Sequence, residues 1–419
     1  MSIGKTCFSL LCLSPFIIFV GVKWHVFNPE NDLALACFSP HFIPPRSARQ
    51  MAADLAVLPA WWARPGDAVC VPRPDEARLW AGSLGGLLPP LLWTDGMVGS
   101  GVTEVVPWGW SPLLAGRLRE MGVRPELLPG DETLCRYRDW SHRRHAVDLL
   151  AWLRGGGSRS GRGWGGRLCG VSCYCTDEAE ITRRLAEWPD ALLKAPWSGS
   201  GKGLRRGCGG YAPPLAGWCR RVLRGQGGVV VEPIYNKVYD FAMEFEADGC
   251  GTVVYKGLSH FSTTPRGTYG GNRVASEEAH LCWLSSFVPR ALWQALRDDL
   301  AEYLSRWLGS GYRGPLGVDM MLCRMEGCGD LCVHPCVEIN LRRTMGCVAA
   351  DLARLLAPGV EARFRIDYCA AEGGLWAVHC RGMQEAPPQV SGGKLSAGCL
   401  PLTPVVPETH YRAVLESVE

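Results

Sequence analysis

The sequence predicts an α/β protein in two parts: a Rossmann-like unit, then a strand-rich block that is α+β in character. Three observations carry this. Strand-like and helix-like segments alternate from Val22 to Leu153. A glycine-rich stretch, GGGSRSGRGWGG, breaks the pattern at 155–166. Beyond it, apolar runs of strand length crowd together up to residue 341. The 419 residues allow two or three domains at ~150 residues each. Hydrophobic residues at 47% and charged ones at 20% are globular usage, which excludes a disordered, collagen-like or coiled-coil protein. Lys+Arg at 44 against Asp+Glu at 41 leaves a net charge of +3, without the basic excess of a dedicated nucleic-acid binder. The 20 cysteines include no CxxC pair, in a chain too long for a disulfide scaffold. They read as small buried apolar residues in a reducing compartment, not as zinc ligands.

Residues 1–21 form an apolar extension. Its run CFSLLCLSPFIIFVGV, 7–22, is shorter than the ~20 residues of a spanning helix. It reads as an upstream extension, because the folded pattern starts at Val22; a targeting segment or a short membrane anchor are the other readings. The expected location is therefore cytoplasmic, with membrane attachment or export as the alternative.

An N-terminal α/β domain is expected over 22–154. VKWHVF (22–27) is its first strand, and NPEND follows, with Asn31 or Asp32 able to cap a helix. Ala48, Met51, Ala52, Leu55 and Leu58 share one face of a helix over 46–58. Strands are expected in 65–74 and 104–109, and a helix over 111–122 with Ser111 as cap and Pro112 at its first position. A last helix spans 142–153, and 155–166 is expected to be a flexible linker. In the second block, 167–385, RLCGVSCYC is a strand and Thr176 caps a helix over 177–188. Strands follow at 191–197, 228–236, 240–248 and 252–262. Leu292, Leu296, Leu300, Tyr303, Leu304 and Trp307 stripe a helix over 290–308. Strands at 317–323 and 331–341 and a helix over 346–356 complete the block. Residues 386–419 are expected to be a peripheral tail.

Three constellations could carry chemistry. LLKAPWSGSGKGLRR (192–206) joins a strand ending in Lys194 to a Gly/Ser loop in which Gly199, Gly201 and Gly203 let backbone N–H groups approach a polyanion. Lys194, Lys202 and Arg205 can neutralise phosphate. The loop fits neither a Walker A nor a Rossmann fingerprint, and a plain flexible loop is an equal reading. VVVEPIYN (229–236) places Glu232 at a strand end, where an adenine-binding hinge or a solvated carboxylate would serve. The third is the most specific. Asp319 lies in an apolar run, and Glu338, Asn340 and Arg342 alternate with Val337, Ile339 and Leu341, so one strand face carries two oxygen donors and a cation. With Asp319 they form a hard-oxygen set suited to magnesium, with an arginine to clamp phosphate. His334 and Cys336 read as packing beside that site.

In order and spacing these motifs resemble the ATP-grasp superfamily, over about Leu168–Leu356. The finer stretches FNPENDLALA and LKAPWSGSGKGLR also resemble uncharacterised ATP-grasp proteins of Bacteroidetes-type bacteria. The resemblance implies a Rossmann-like domain followed by an ATP-grasp domain of two subdomains, with ATP and Mg as cofactors. Carried over residue by residue, Lys194, Ser198, Gly199, Ser200, Gly201, Gly203, Glu232 and Asp240 would bind nucleotide, with Glu244 an alternative to Asp240. Asp319, Glu338 and Asn340 would bind metal, and Lys202 and Arg342 would be catalytic. The implied activity is ATP-dependent ligation through an acyl phosphate, with a small-molecule carboxylate and a nucleophile as substrates and no nucleic-acid or stable membrane partner. A non-catalytic ATP-binding module and a small-molecule kinase are the alternatives. The acceptor site is expected in GLSHFSTTPRGTYGGN (257–272), with Arg266, Tyr269 and Asn272 as candidates. Asn28, Glu30, Asn31 and Asp32 lie at a strand-to-helix turn, where α/β sheets place ligands.

Overall fold

The computed structural model describes residues 21–96, 101–198, 203–264, 268–325 and 331–418. The first block is a parallel sheet. β1 (Val22–Val26) lies between β2 (Ala68–Cys70) and β4 (Val102–Pro107), with β3 (Leu92–Thr94) outside β2. Parallel strands need crossovers: α1 (Asn31–Cys37) and α2 (Arg46–Asp54) lie between β1 and β2, α3 (Pro74–Ser83) lies between β2 and β3, and α4 (Pro112–Glu120) follows β4. α4 starts as expected: Ser111 Oγ accepts from the Leu114 N–H, and Pro112 opens the first turn. α1 does not: Glu30 holds the N-cap position and makes no side-chain cap bond, so neither Asn31 nor Asp32 is the cap.

α5 (Asp131–Trp140) and α6 (Arg144–Arg154) follow. α6 buries Ala146, Leu149, Leu150 and Leu153 against the large sheet described below, not against the parallel one. The stretch 155–166, expected as a flexible linker, contains a helix, α7 (Arg159–Trp164). Its serines explain the difference. Ser158 Oγ accepts from the Gly161 N–H at 2.8 Å, and buried Asp299 accepts from the Ser160 N–H and Oγ, both at 2.7 Å. That distant carboxylate supplies the bonds the glycines could not.

A small antiparallel sheet comes next: β5 (Cys173–Cys175), β6 (Asp190–Lys194), β7 (Leu204–Cys208) and β8 (Val229–Pro233), in the order β5-β8-β6-β7. α8 (Glu178–Glu187) and α9 (Pro213–Gln226) close a core of Ile181, Leu185, Leu193, Trp218 and Val231 with it. The α8 cap is Asp177, one residue beyond the Thr176 expected. Asp177 Oδ1 accepts from the Glu180 N–H at 2.7 Å, while Glu180 reaches back to the Thr176 N–H.

The third layer is a large antiparallel sheet of β9 (Asn236–Asp248), β10 (Val253–Thr263), β11 (Tyr269–Val274), β12 (Arg313–Arg324), β13 (Leu331–Asn340) and β14 (Glu361–Tyr368). β17 (Cys399–Pro401) and β18 (Tyr411–Val418) complete it, and a hairpin of β15 (Gln389–Ser391) and β16 (Lys394–Ala397) stands beside it. Among the described residues its order is β13-β12-β9-β10-β11-β14-β18-β17. α10 (Glu277–Ser285) and α11 (Arg290–Leu308) back one face, where Leu292, Leu296, Leu300 and Leu304 of the expected stripe are fully buried. On the other face α12 (Met345–Leu352) packs Val348 and Leu352 beside Phe364, together with Phe27, Leu55 and Trp61 of the first block. α13 (Gly374–Glu385) buries only Leu375.

Of residues 386–419, expected at the periphery, the described part, 386–418, belongs to the large sheet and its core. β18 pairs with β14 from Glu361↔Val418 to Tyr368↔Tyr411, and Leu395, Leu400, Leu402, Ala413 and Leu415 are core residues. The Pro and Gly residues punctuate short strands, and Tyr411 to Leu415 are all buried, so this part of β18 is covered on both faces. No helix among the described residues is long and apolar enough to cross a membrane.

Candidate active site between the two antiparallel sheets

The site is built on the register of β12 and β13. Asp319 pairs with Glu338 and Gly317 with Asn340, while Ala242 and Glu244 of β9 stand opposite Asp319 and Gly317. Residues directly opposed in an antiparallel pair share a face. Asp319, Glu338, Asn340 and Glu244 therefore project together, and Val318, Met320 and Ile339 enter the core behind them. Burial pushes the Asp319 carboxyl up to about 8; Glu338 and Glu244 add to the shift, and the Asn340 amide and Arg342 oppose it. No third His, Cys, Asp or Glu joins the pair in a metal-binding group among the described residues. Asn340 is the third oxygen donor. Two adjacent carboxylates with an amide oxygen beside them fit a hard divalent cation.

Two of these ligand residues are bonded to arginines. Glu338 Oε1 accepts from Arg143 Nη2 at 2.7 Å. Arg143 is buried and also donates to Ala195 O at 2.5 Å, Ser198 Oγ at 2.7 Å and Ser198 O at 3.2 Å. Asn340 Oδ1 accepts from Arg342 Nη2 at 3.0 Å. The Arg342 fork is held by Asp32, with Nε and Nη2 each 2.9 Å from a carboxylate oxygen. Asp32 thus brings the turn after β1 to the site. The other residues of that turn are used inside the first block. Asn28 donates to Gly109 O at 2.8 Å, Glu30 pairs with Arg117 at 3.2 Å, and the Asn31 amide, correctly oriented, donates to Gly109 O and Trp110 O.

On the small sheet, Lys194 Nζ lies 2.6 Å from Glu232 Oε1, and both side chains are buried. Lys194 also donates to Val337 O at 3.5 Å, which joins the small sheet to β13. Burial pushes the Glu232 carboxyl up, and the Lys194 charge opposes it. Glu232 is therefore committed to Lys194, not free at a strand end. The loop between β6 and β7 closes through the Ala195 N–H on Gly203 O at 2.9 Å. At Gly203 the missing Cβ leaves the space that the Ser198 side chain fills. The remaining loop candidates, Gly199, Ser200, Gly201 and Lys202, lie outside the described residues, as does Arg266.

Asp240 stands one rung further along the same face, opposite Met321, and is held by Lys237 at 2.5 Å and Thr263 at 2.8 Å. The Tyr269 hydroxyl donates to Asn272 Oδ1 at 2.5 Å, and Asn272 Nδ2 donates to Ser259 Oγ at 2.7 Å. Both acceptor candidates are thus tied into one network. His334 is fully buried against Tyr235 and Gly170, and burial pushes its imidazole down to about 3. Cys336 is a core residue.

Sequence reasoning missed Arg143 and Trp197 and left Glu244 only as an alternative. Trp197 Nε1 donates to Arg138 O at 2.8 Å, and the Arg138 guanidinium stacks 4.5 Å over its ring. Glu244 accepts from Thr344 Oγ1 at 2.9 Å and Cys347 Sγ at 3.3 Å, and burial pushes its carboxyl up to about 7.

No family model matches the sequence, and no curated protein matches it. Among solved structures, the chain is similar to N5-carboxyaminoimidazole synthetase from Staphylococcus aureus complexed with ADP, at 10% identity and TM-score 0.45, over 95% of this chain and 94% of that one. It is similar to biotin carboxylase from Campylobacter jejuni in a β-γ-ATP complex, at 13% identity and TM-score 0.49, over 95% and 88%. It is also similar to a protein from Archaeoglobus fulgidus assigned to the ATP-grasp superfamily, at 11% identity and TM-score 0.43, over 95% and 100%.

Proposed function

We propose that the chain is an ATP- and Mg-dependent ligase of the ATP-grasp type, which activates a carboxylate as an acyl phosphate for attack by an amine or similar nucleophile. One observation carries the reading. Asp319, Glu338 and Asn340 share one strand face, Arg143 and Arg342 bond to Glu338 and Asn340, and Lys194 of the buried Lys194–Glu232 pair reaches Val337 O on the same strand. Oxygen ligands close to several fixed cations are what a polyphosphate and its counter-ion need.

In this reading Asp319, Glu338 and Asn340 would hold magnesium, which when bound supplies charge neutralisation to the phosphates. Lys194 and Arg143 would contact the polyphosphate, and Arg342, oriented by Asp32, the transferring phosphoryl group. A carboxylate oxygen of one substrate attacks the γ-phosphorus and ADP leaves. The nucleophile then adds to the acyl carbon, loses its proton, and expels inorganic phosphate. Asn272, Ser259 and Tyr269 form the polar wall from which acceptor contacts would come.

Thermal unfolding of the full chain with and without Mg-ATP tests the site. At a hundredfold excess over Kd the expected stabilisation is ~2.7 kcal/mol, removed by EDTA and absent in a folded Glu338→Gln variant. A Glu338→Gln protein that gains the same stability from Mg-ATP refutes the assignment. Release of ADP and phosphate that depends on both a carboxylate and an amine then separates a ligase from a kinase.

A further inference from the structure

Arg143 is placed where no local interaction favours it. It occupies the N-cap position of α6 and is followed by Arg144, with no acidic residue in the first turn. Two cations at the positive end of a helix are unfavourable. Its partners come from elsewhere. Three of its bonds go to the segment leading into the glycine loop, and the fourth goes to Glu338. The guanidinium is 7% exposed and Glu338 is 29% exposed. The carboxylate is thus reachable from the cleft while one of its oxygens is taken.

Resting on the ligase reading above, we propose that Arg143 is a displaceable counter-ion of the metal site, which makes cation binding at Glu338 conditional on nucleotide. Asp319 and Glu338 face each other across two strands, so ionising both, as cation binding requires, sets like charges side by side. In the empty protein the Arg143 guanidinium satisfies the Glu338 carboxylate without any ligand. A divalent cation would do the same work at the same oxygens, so cation and guanidinium compete. A polyphosphate entering beside Ser198 offers the guanidinium fork a matching pair of anionic oxygens. Once the fork turns to phosphate, Glu338 is free to ligate. Nucleotide and metal then bind cooperatively, and the empty protein does not gather divalent cations on its own. Arg143 acts here as a positioning residue, through its hold on the Glu338 carboxylate.

The test is Mn2+ binding to the full chain, read from the EPR signal of free Mn2+, for wild type and Arg143→Met without nucleotide. Losing a charge-assisted hydrogen bond to the carboxylate should tighten Mn2+ binding by about tenfold or more. ADP should strengthen Mn2+ binding in wild type by a larger factor than in the variant. Arg143→Lys, which keeps the charge without the fork, should fall between the two. An Arg143→Met protein that binds Mn2+ no more tightly than wild type overturns the proposal; a merely structural arginine would weaken the site when removed. If Arg143→Met does not fold, Ser198→Ala removes one anchor of the guanidinium and should raise nucleotide-free Mn2+ affinity a few-fold; no rise overturns the proposal equally. Failure of Mn2+ to bind either protein, with or without ADP, overturns the ligase reading itself.

Discussion

Loading the site with a cation should expel a proton, and the amount can be worked from Asp319. Its carboxyl is pushed up to about 8, first by burial and then by Glu338 and Glu244. At pH 7 a group with that value is protonated in about nine molecules of ten, and a ligating carboxylate must be ionised. Cation binding should therefore release about 0.9 of a proton from this residue. The count is read by titrating Mn2+ into the ADP-loaded protein calorimetrically, in buffers of different ionisation enthalpy at fixed pH 7, after subtracting the Mn-ADP background. The slope of observed heat against buffer enthalpy is the number of protons. Asp319→Asn should remove most of it. Stability must follow the same proton. Between the ordinary value of 3.8 and about 8, the cation-free native chain keeps a proton that the unfolded chain has lost. Native stability in EDTA should therefore fall as pH rises through that window, with the full contribution present only below its lower end. A zero slope with tight cation binding, or an EDTA-treated protein whose urea midpoint rises steadily from pH 5 to pH 8, would refute this account of Asp319.

Two further changes probe the scaffold. A Cβ at Gly346 would overlap Glu244 Oε1 and lie 2.5 Å from Ser259 Oγ, so Gly346→Ala should cost about 1–3 kcal/mol by urea unfolding; an unchanged midpoint would mean that Glu244 can move aside. Lys194→Met leaves Glu232 buried without its ion partner and should cost about 3–5 kcal/mol. Adding Glu232→Leu should recover most of that loss while leaving Mg-ATP binding impaired, and a double variant as unstable as the single one would contradict the pairing.

The strand face of the site was legible because strand periodicity is local. The alternation of Glu338, Asn340 and Arg342 with Val337, Ile339 and Leu341 needs no knowledge of distant residues. What that alternation could not reveal is what meets the face. Arg143 bonds to a carboxylate 195 residues away, and only its awkward position at a helix start marked it. Ser158 and Ser160 looked like linker residues until Asp299 supplied their partner. Glu232 read as a free strand end because Lys194 sits on a different strand of the small sheet. α9 was missed although its marks are local: prolines in its first turn and Gly227 in the left-handed C-cap position. The closing strand β18 was obscured by the Pro- and Gly-rich segment before it.

The docking of the first block onto the last strands has a consequence for synthesis. Trp61 Nε1 donates to Leu402 O across 341 residues of chain, and Leu55, Leu58 and Trp61 share a core with Leu400, Leu402 and Leu415. A ribosome adding ~5–20 residues per second leaves those side chains without their final cover for about 17–70 s. Throughout that interval Leu55, Leu58 and Trp61 lack the apolar partners that cover them in the native fold. Slowing translation between these segments should therefore lower the yield of native protein, even though no residue has changed.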